Sequence, residues 1–93
     1  MNSIDRKFSI QATNSSGKTY TENDAVLFLA KDKAFLLTLP TYLEKCREVG
    51  ACPEQIKAVE LLIERVAKYQ ADNPGLVKVP DVDPVKQQLC LQK

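Results

Sequence analysis

The most specific chemical pattern in the 93-residue chain is Gly17-Lys18-Thr19, which follows Ala12 at the spacing of a relaxed phosphate-binding P-loop. In a P-loop, a helix begins directly after the lysine and directs its N-terminus at the phosphates. Here the residues after Lys18 are typical of a strand. No crossover helix fits between Thr19 and Val26, since a parallel crossover takes a dozen or more residues. The pattern therefore favours a hairpin turn over a nucleotide-hydrolysis site.

The groups that most often perform catalysis or bind metals are scarce. Histidine is absent, which removes imidazole acid–base chemistry and the commonest metal ligand. Cys46 and Cys52 lack C-x-x-C spacing, and Cys90 lies in the tail. Because the first seven residues are polar and charged, we expect reduced thiols in a cytoplasm. We predict no enzyme, no metal site and no cofactor.

Two groups of residues could instead take part in binding. Asp32, between Lys31 and Lys33, could contact a polar ligand, although a solvated turn is the alternative. Leu61 lies on the polar half of a predicted helix beside Arg65. Together with the neighbouring Leu62 it would let both sides of this helix be covered. Leu61 and Arg65 are therefore the predicted interface residues.

The N-terminal part of the chain predicts a hairpin. Phe8, Ile10 and Ala12 alternate with polar residues, which indicates a strand over 7–13. Residues 14–17 are rich in turn formers, and residues 18–21 can return as the second strand. The polar residues 21–24 are typical of a helix start, so we expect the apolar segment 25–30 to be a helix rather than a third strand.

The middle of the chain predicts two antiparallel helices. Residues 53–70 carry apolar side chains on one half of a 3.6-residue helix, and Pro53 suits its first position. We expect a regular helix over 40–49 ending at Gly50, with Asp32 able to cap the segment after it. Because Pro40 lacks an N–H, residues 34–39 are either an irregular first turn or a separate short helix. Residues 76–82 are predicted to be extended.

These elements predict an α+β fold in which an N-terminal β-hairpin packs on an antiparallel αα-hairpin, with an extended C-terminal segment after them. We expect residues 1–82 to form one domain and residues 83–93 a polar tail. Domains of this size bury only about 60–65% of their unfolded surface, which favours self-association. Thirteen basic and twelve acidic residues exclude a strong attraction to nucleic acid or anionic membranes. The longest apolar run, residues 25–30, is too short to cross a bilayer.

Several segments also resemble a protein family. The segments are AVLFLAKD at 25–32, LLIERV at 61–66, NP at 73–74 and KVPDV at 78–82. They are similar to a family of small proteins encoded by bacteria and their phages, for which no activity is established. The resemblance covers about residues 8–82, and Pro40 departs from it.

The resemblance and the missing catalytic groups lead to one functional expectation. The chain would be a non-catalytic binding module in the (host) cytoplasm, a homo-oligomer that sequesters a nucleotide-derived immune signal as a phage anti-defence protein. Lysines and turn amides would hold phosphate, and a tyrosine would stack on a base. The alternative is an adaptor or inhibitor that binds a host or virion protein through the Leu61 face or the tail. The predicted ligand-binding residues are Lys31, Asp32, Lys33, Lys78 and Tyr42, with the backbone amides of Ser15–Gly17.

Overall fold

The computed structural model describes residues 3–80 and shows an α+β chain. Its elements in order are β1 (Gln11–Thr13), β2 (Thr19–Thr21), α1 (Lys33–Glu48) and α2 (Pro53–Asp72). The two strands pair with each other, and the two helices pack together, which confirms the predicted α+β class. Within the described residues the chain divides into two compact units, 3–28 and 29–80. The predicted single domain over 1–82 stays a prediction, and the predicted tail lies outside the described residues.

The hairpin forms where the sequence predicts it but is shorter. β1 and β2 are antiparallel, with Ala12 opposite Tyr20, and residues 7–10 are not part of the strand. The loop is closed by Asn14, whose backbone N–H donates to the Lys18 carbonyl oxygen at 2.9 Å. Gly17 has φ +91°, which a residue without a Cβ adopts readily. Gly17-Lys18-Thr19 therefore belongs to a β-turn and strand, as expected, rather than to a P-loop.

The predicted helix over 25–30 is wrong, because residues 25–29 have no regular secondary structure. The polar residues before it do form one turn, in which the Asp24 carboxylate accepts the Thr21 N–H at 2.9 Å. The turn is not continued, since the Leu27 N–H donates to the carboxylate of Asp5 at 2.9 Å instead of to a preceding carbonyl. A distant side chain thus replaces the intrahelical partner.

Asp5 organises the N-terminal unit. It is 6% exposed, and its Oδ1 accepts the N–H groups of Lys7 and Phe8, both at 2.7 Å. With Leu27 on Oδ2, one carboxylate binds three backbone donors. Hydrogen bonds from Leu27 and then Phe8 hold the pKa of Asp5 below its ordinary value of 3.8, against the opposing effect of burial.

Glu22 performs a similar role beside Asp5. Its Oε1 accepts the Ile10 N–H at 2.8 Å, and this bond lowers its pKa from the ordinary 4.5. Its carbonyl oxygen accepts the N–H groups of Ile4 and Asp5. The N–H groups of Lys7, Phe8 and Ile10 therefore bind carboxylates rather than a partner strand, which explains why β1 begins only at Gln11.

Helix α1 is continuous through Pro40, so the prediction that a regular helix begins only at this residue is wrong. Asp32 caps the helix, as predicted, by accepting the Phe35 N–H at 2.9 Å. Pro40 leaves the carbonyl of Leu36 without its usual i+4 donor, a cost of up to about 3 kcal/mol. Leu39, which directly precedes Pro40, is 2% exposed, and the free energy gained by burying its side chain opposes that cost.

Helix α1 ends in a Schellman motif. Gly50 N–H donates to Arg47 O at 3.1 Å, and Ala51 N–H donates to Cys46 O at 2.9 Å. Gly50 has φ +79°, as the sequence predicts for the cap. The motif returns the chain so that α2 can begin at Pro53.

Replacement of Gly50 by alanine is expected to lower the free energy of unfolding by about 1–2 kcal/mol. Nothing lies within 4 Å of the added Cβ, so the cost comes from the left-handed backbone and not from a clash. Urea denaturation followed by far-UV circular dichroism would measure it. Gly75→Ala is the matched control, because its new Cβ also meets nothing and Gly75 has no positive φ.

Helix α2 is two residues longer than predicted, ending at Asp72 with Asn73 as its C-cap. An ion pair joins the helices, with Arg47 Nη2 3.3 Å from Glu60 Oε2. In the described part of the chain, the buried apolar side chains are those of Leu39, Cys46, Val59 and Val66. The helical hairpin therefore has a thin core contributed equally by α1 and α2.

Candidate functional site

The predicted lysines meet where residue 78 returns to the start of α1. Asp32 and Lys78 form a parallel β-bridge. Lys33 N–H donates to Lys78 O at 2.8 Å, and Lys78 N–H donates to Lys31 O at 2.9 Å. We call this group of Lys31, Asp32, Lys33 and Lys78 the lysine junction. Four of the five predicted ligand-binding residues are thus joined through their backbones.

The lysine junction is positively charged, since three ammonium groups outnumber one carboxylate. Lys33 and Lys78 are exposed, and Lys31 is half-buried. Within residues 3–80 the structure pairs none of these ammonium groups with a carboxylate. Lysine carries its charge on a flexible four-carbon stem, so neighbouring lysines can converge on one anion. The junction is suited to binding an anionic group.

Asp32 has a structural task in the lysine junction. Its Oδ1 caps α1, and its carbonyl oxygen accepts the Leu36 N–H at 3.3 Å. The negative charge of the Asp32 carboxylate already interacts favourably with the positive, N-terminal end of the α1 dipole. An anion would therefore be held by the lysine side chains and not by the free amides of α1.

Gln70 is the functional residue that the sequence reasoning missed. Its Nε2 donates to the carbonyl oxygens of Ala30, at 2.9 Å, and Asp32, at 3.0 Å. Through these bonds α2 holds the chain on both sides of Lys31. A signal was available: Gln70 is a polar residue on the buried side of α2, and a buried amide requires partners.

Tyr42 does not join the lysine junction. It is 53% exposed on α1, nine positions beyond Lys33 and so about 13 Å further along the helix. Only an extended ligand reaches both. Tyr42 instead shares an exposed stripe with Val49, seven residues later, and α2 carries an equivalent stripe of Leu62 and Tyr69. Because seven residues make about two helical turns, Leu62 and Tyr69 lie on one face of α2, and Val49 follows the end of α1 two turns after Tyr42.

The turn amides predicted to bind phosphate are already used. Asn14 Oδ1 accepts the N–H groups of Ser16, at 3.0 Å, and Lys18, at 2.9 Å. The Gly17 N–H donates to Asn14 O at 3.0 Å. The N–H groups of Ser16 and Gly17 are therefore already bonded within the turn, and the prediction that Ser15–Gly17 offers a set of phosphate-binding amides is wrong for these two residues.

The two predicted interface residues, Leu61 and Arg65, differ in their exposure. Leu61 is half-buried, whereas its neighbour Leu62 is 38% exposed, the reverse of the order that the helix pattern predicts. Arg65 is exposed. The apolar surface that α2 offers for contact is therefore that of Leu62 and Tyr69 rather than that of Leu61.

The two cysteines in the described part of the chain are free thiols in different surroundings. Cys46 is buried in the helical core, and Cys52 is exposed directly before α2. Cys90 lies outside the described residues. No group of three or more metal-ligating side chains comes together within residues 3–80.

A scan against protein-family models finds no match, and searches of curated proteins and of solved structures find none either. None of the helices in residues 3–80 has the length and apolar character needed to span a membrane.

Proposed function

We propose that this chain is a non-catalytic binding module that captures a nucleotide-derived anion at the lysine junction. The observation that carries the proposal is the backbone bridge, which places Lys78 beside Lys31 and Lys33 at the start of α1. Three ammonium groups without an ion-pair partner in residues 3–80, held around an ordered backbone, favour a ligand with phosphate groups. In a phage host, such a module would act as an anti-defence protein by sequestering a nucleotide signal.

The exposed stripes of the two helices support the homo-oligomeric form of this proposal. Tyr42 on α1 and Val49, the residue that follows α1, are 53% and 81% exposed, and on α2, Leu62 and Tyr69 are 38% and 37% exposed. Apolar surface of this kind is commonly covered in an assembly. In an oligomer the tyrosines and the lysine junctions of different copies could together hold a ligand larger than one junction.

A calorimetric titration with cyclic dinucleotides and ADP-ribose derivatives tests the proposal. We expect at least one ligand to bind, with an affinity that falls as salt is added. Lys78→Ala should weaken it by about ten- to hundredfold, since one charge-assisted contact contributes about 1.5–3 kcal/mol. The bridge uses only the backbone of Lys78, so the fold should be retained. Lys57→Ala, which removes an equal charge from an exposed position of α2, should leave the affinity unchanged.

The second candidate is a protein–protein adaptor or inhibitor, which the same exposed stripes favour. This function requires Tyr42 and Leu62 but not the lysine junction. Absence of affinity for every nucleotide in the titration would reject the first proposal. Native mass spectrometry distinguishes the two functions independently of the titration. A bare monomer favours the adaptor, and an oligomer with bound small molecule favours the binding module.

A further inference from the structure

We infer that Gln70 is the positioning residue of the lysine junction, holding Lys31 in the conformation that pairs with Lys78. The consequence for ligand binding rests on the function proposed above. Whether Gln70 keeps the lysine junction ordered can be measured without a ligand.

The side chain of Gln70 forms two hydrogen bonds to the segment that contains Lys31. Gln70 Nε2 donates to Ala30 O and Asp32 O, so the carbonyl groups of the residues before and after Lys31 are both tied to α2. These bonds link residues 40 and 38 positions apart in the sequence. Both require a donor with two hydrogens, which an amide supplies and a carboxylate or thioether does not.

The same segment is also hydrogen-bonded to the backbone of Lys78. Lys31 O accepts the Lys78 N–H, and Lys33 N–H donates to Lys78 O. These two bonds form an isolated bridge, and short, isolated strand pairings are marginal in water. Without Gln70 the bridge would lose the two hydrogen bonds that tie its Lys31–Lys33 side to α2. We therefore expect it to open more often, which would separate Lys78 from Lys31 and Lys33.

Hydrogen exchange of backbone amides in the full chain measures this opening directly. In Gln70→Met, which keeps the length of the side chain and removes the donors, the amides of Lys33 and Lys78 should exchange at least tenfold faster than in the wild type. Gly50→Ala is the matched control. It destabilises the opposite end of the same helix pair, so it should accelerate these two amides no more than the other amides of α1 and α2.

Affinity for a nucleotide found in the titration provides the second readout. Gln70→Met should weaken binding at least threefold, and Gly50→Ala should not. If Gln70→Met does not fold, Gln70→Asn, which retains the amide on a shorter side chain, should show the same changes to a smaller degree.

The failures of the two proposals are distinguishable. Unchanged exchange at Lys33 and Lys78 in the Gln70 variant would overturn the positioning role, whatever the ligand. Faster exchange with unchanged affinity would overturn it as well, since the order of the junction would then not matter for binding. A wild type that binds no nucleotide, with exchange accelerated as expected, would reject only the proposed function.

Discussion

Leu39→Ala is expected to lower the free energy of unfolding by about 2–5 kcal/mol. Leu39 is 2% exposed, the lowest value among the buried apolar residues of the described chain. Truncation removes buried methyl groups and leaves a cavity beside α1, and the thin core has few other side chains to fill it. Small domains are stabilised by only about 5–15 kcal/mol, so this loss is a large fraction of the total.

Urea denaturation followed by the helical circular dichroism signal would measure the effect of Leu39→Ala. Leu37→Ala is the matched control, because it makes the same substitution on the same helix at a position that is 70% exposed. The control should change the free energy by no more than about 0.5 kcal/mol. Similar losses in the two variants would show that Leu39 is not part of a packed core.

Asp5→Asn is expected to release the N-terminal unit locally and cause the largest loss of order in residues 3–28. The Asp5 carboxylate accepts three N–H groups, and an asparagine amide would direct its own N–H₂ donors at one or more of them. The amides of Lys7, Phe8 and Leu27 should exchange much faster with solvent. Asp24→Asn is the control, since Asp24 is exposed and its carboxylate accepts only the Thr21 N–H among the described residues.

The same carboxylate predicts the pH dependence of this unit. Its folded-state pKa is lowered by the Leu27 and Phe8 hydrogen bonds, so its stabilising effect is fully present above its ordinary pKa of 3.8. The effect is lost as the pH falls through the lowered value. In an NMR titration the Leu27 amide proton should therefore shift with an apparent pKa below 3.8. A midpoint above 3.8, or a titration retained in Asp5→Asn, would contradict this role.

Elements whose signals are local could be predicted from the sequence. The Asn14–Gly17 turn, the Asp32 cap and the Gly50 cap depend on residues within a few positions of each other. Helix α2 was predictable for the same reason, because Pro53 determines where it begins and a sustained 3.6-residue pattern places Val59 and Val66 on its buried side. Lys31 to Lys33 could be identified as candidate binding residues because charge interrupts an apolar segment.

The prediction for residues 25–30 was wrong because its outcome depends on a group that local patterns do not contain. The Leu27 N–H is taken by Asp5, 22 positions away, so a helix start that is sound by itself is not continued. The opposite happened at Pro40, where local chemistry favoured an interruption and the burial of Leu39 opposed it. In both cases a tertiary contact outweighs a local preference.

By itself, the sequence determined the α+β class, the positions of the turns and caps, and the identity of the charged residues that could bind a ligand. The tertiary structure alone decided that Lys78 lies beside Lys31 and Lys33 and that Gln70 holds them there. The physical reason is range. Turns and caps are satisfied by donors and acceptors a few residues apart, whereas the lysine junction depends on hydrogen bonds from Gln70 to partners 40 and 38 residues away, which form only when α2 packs against α1.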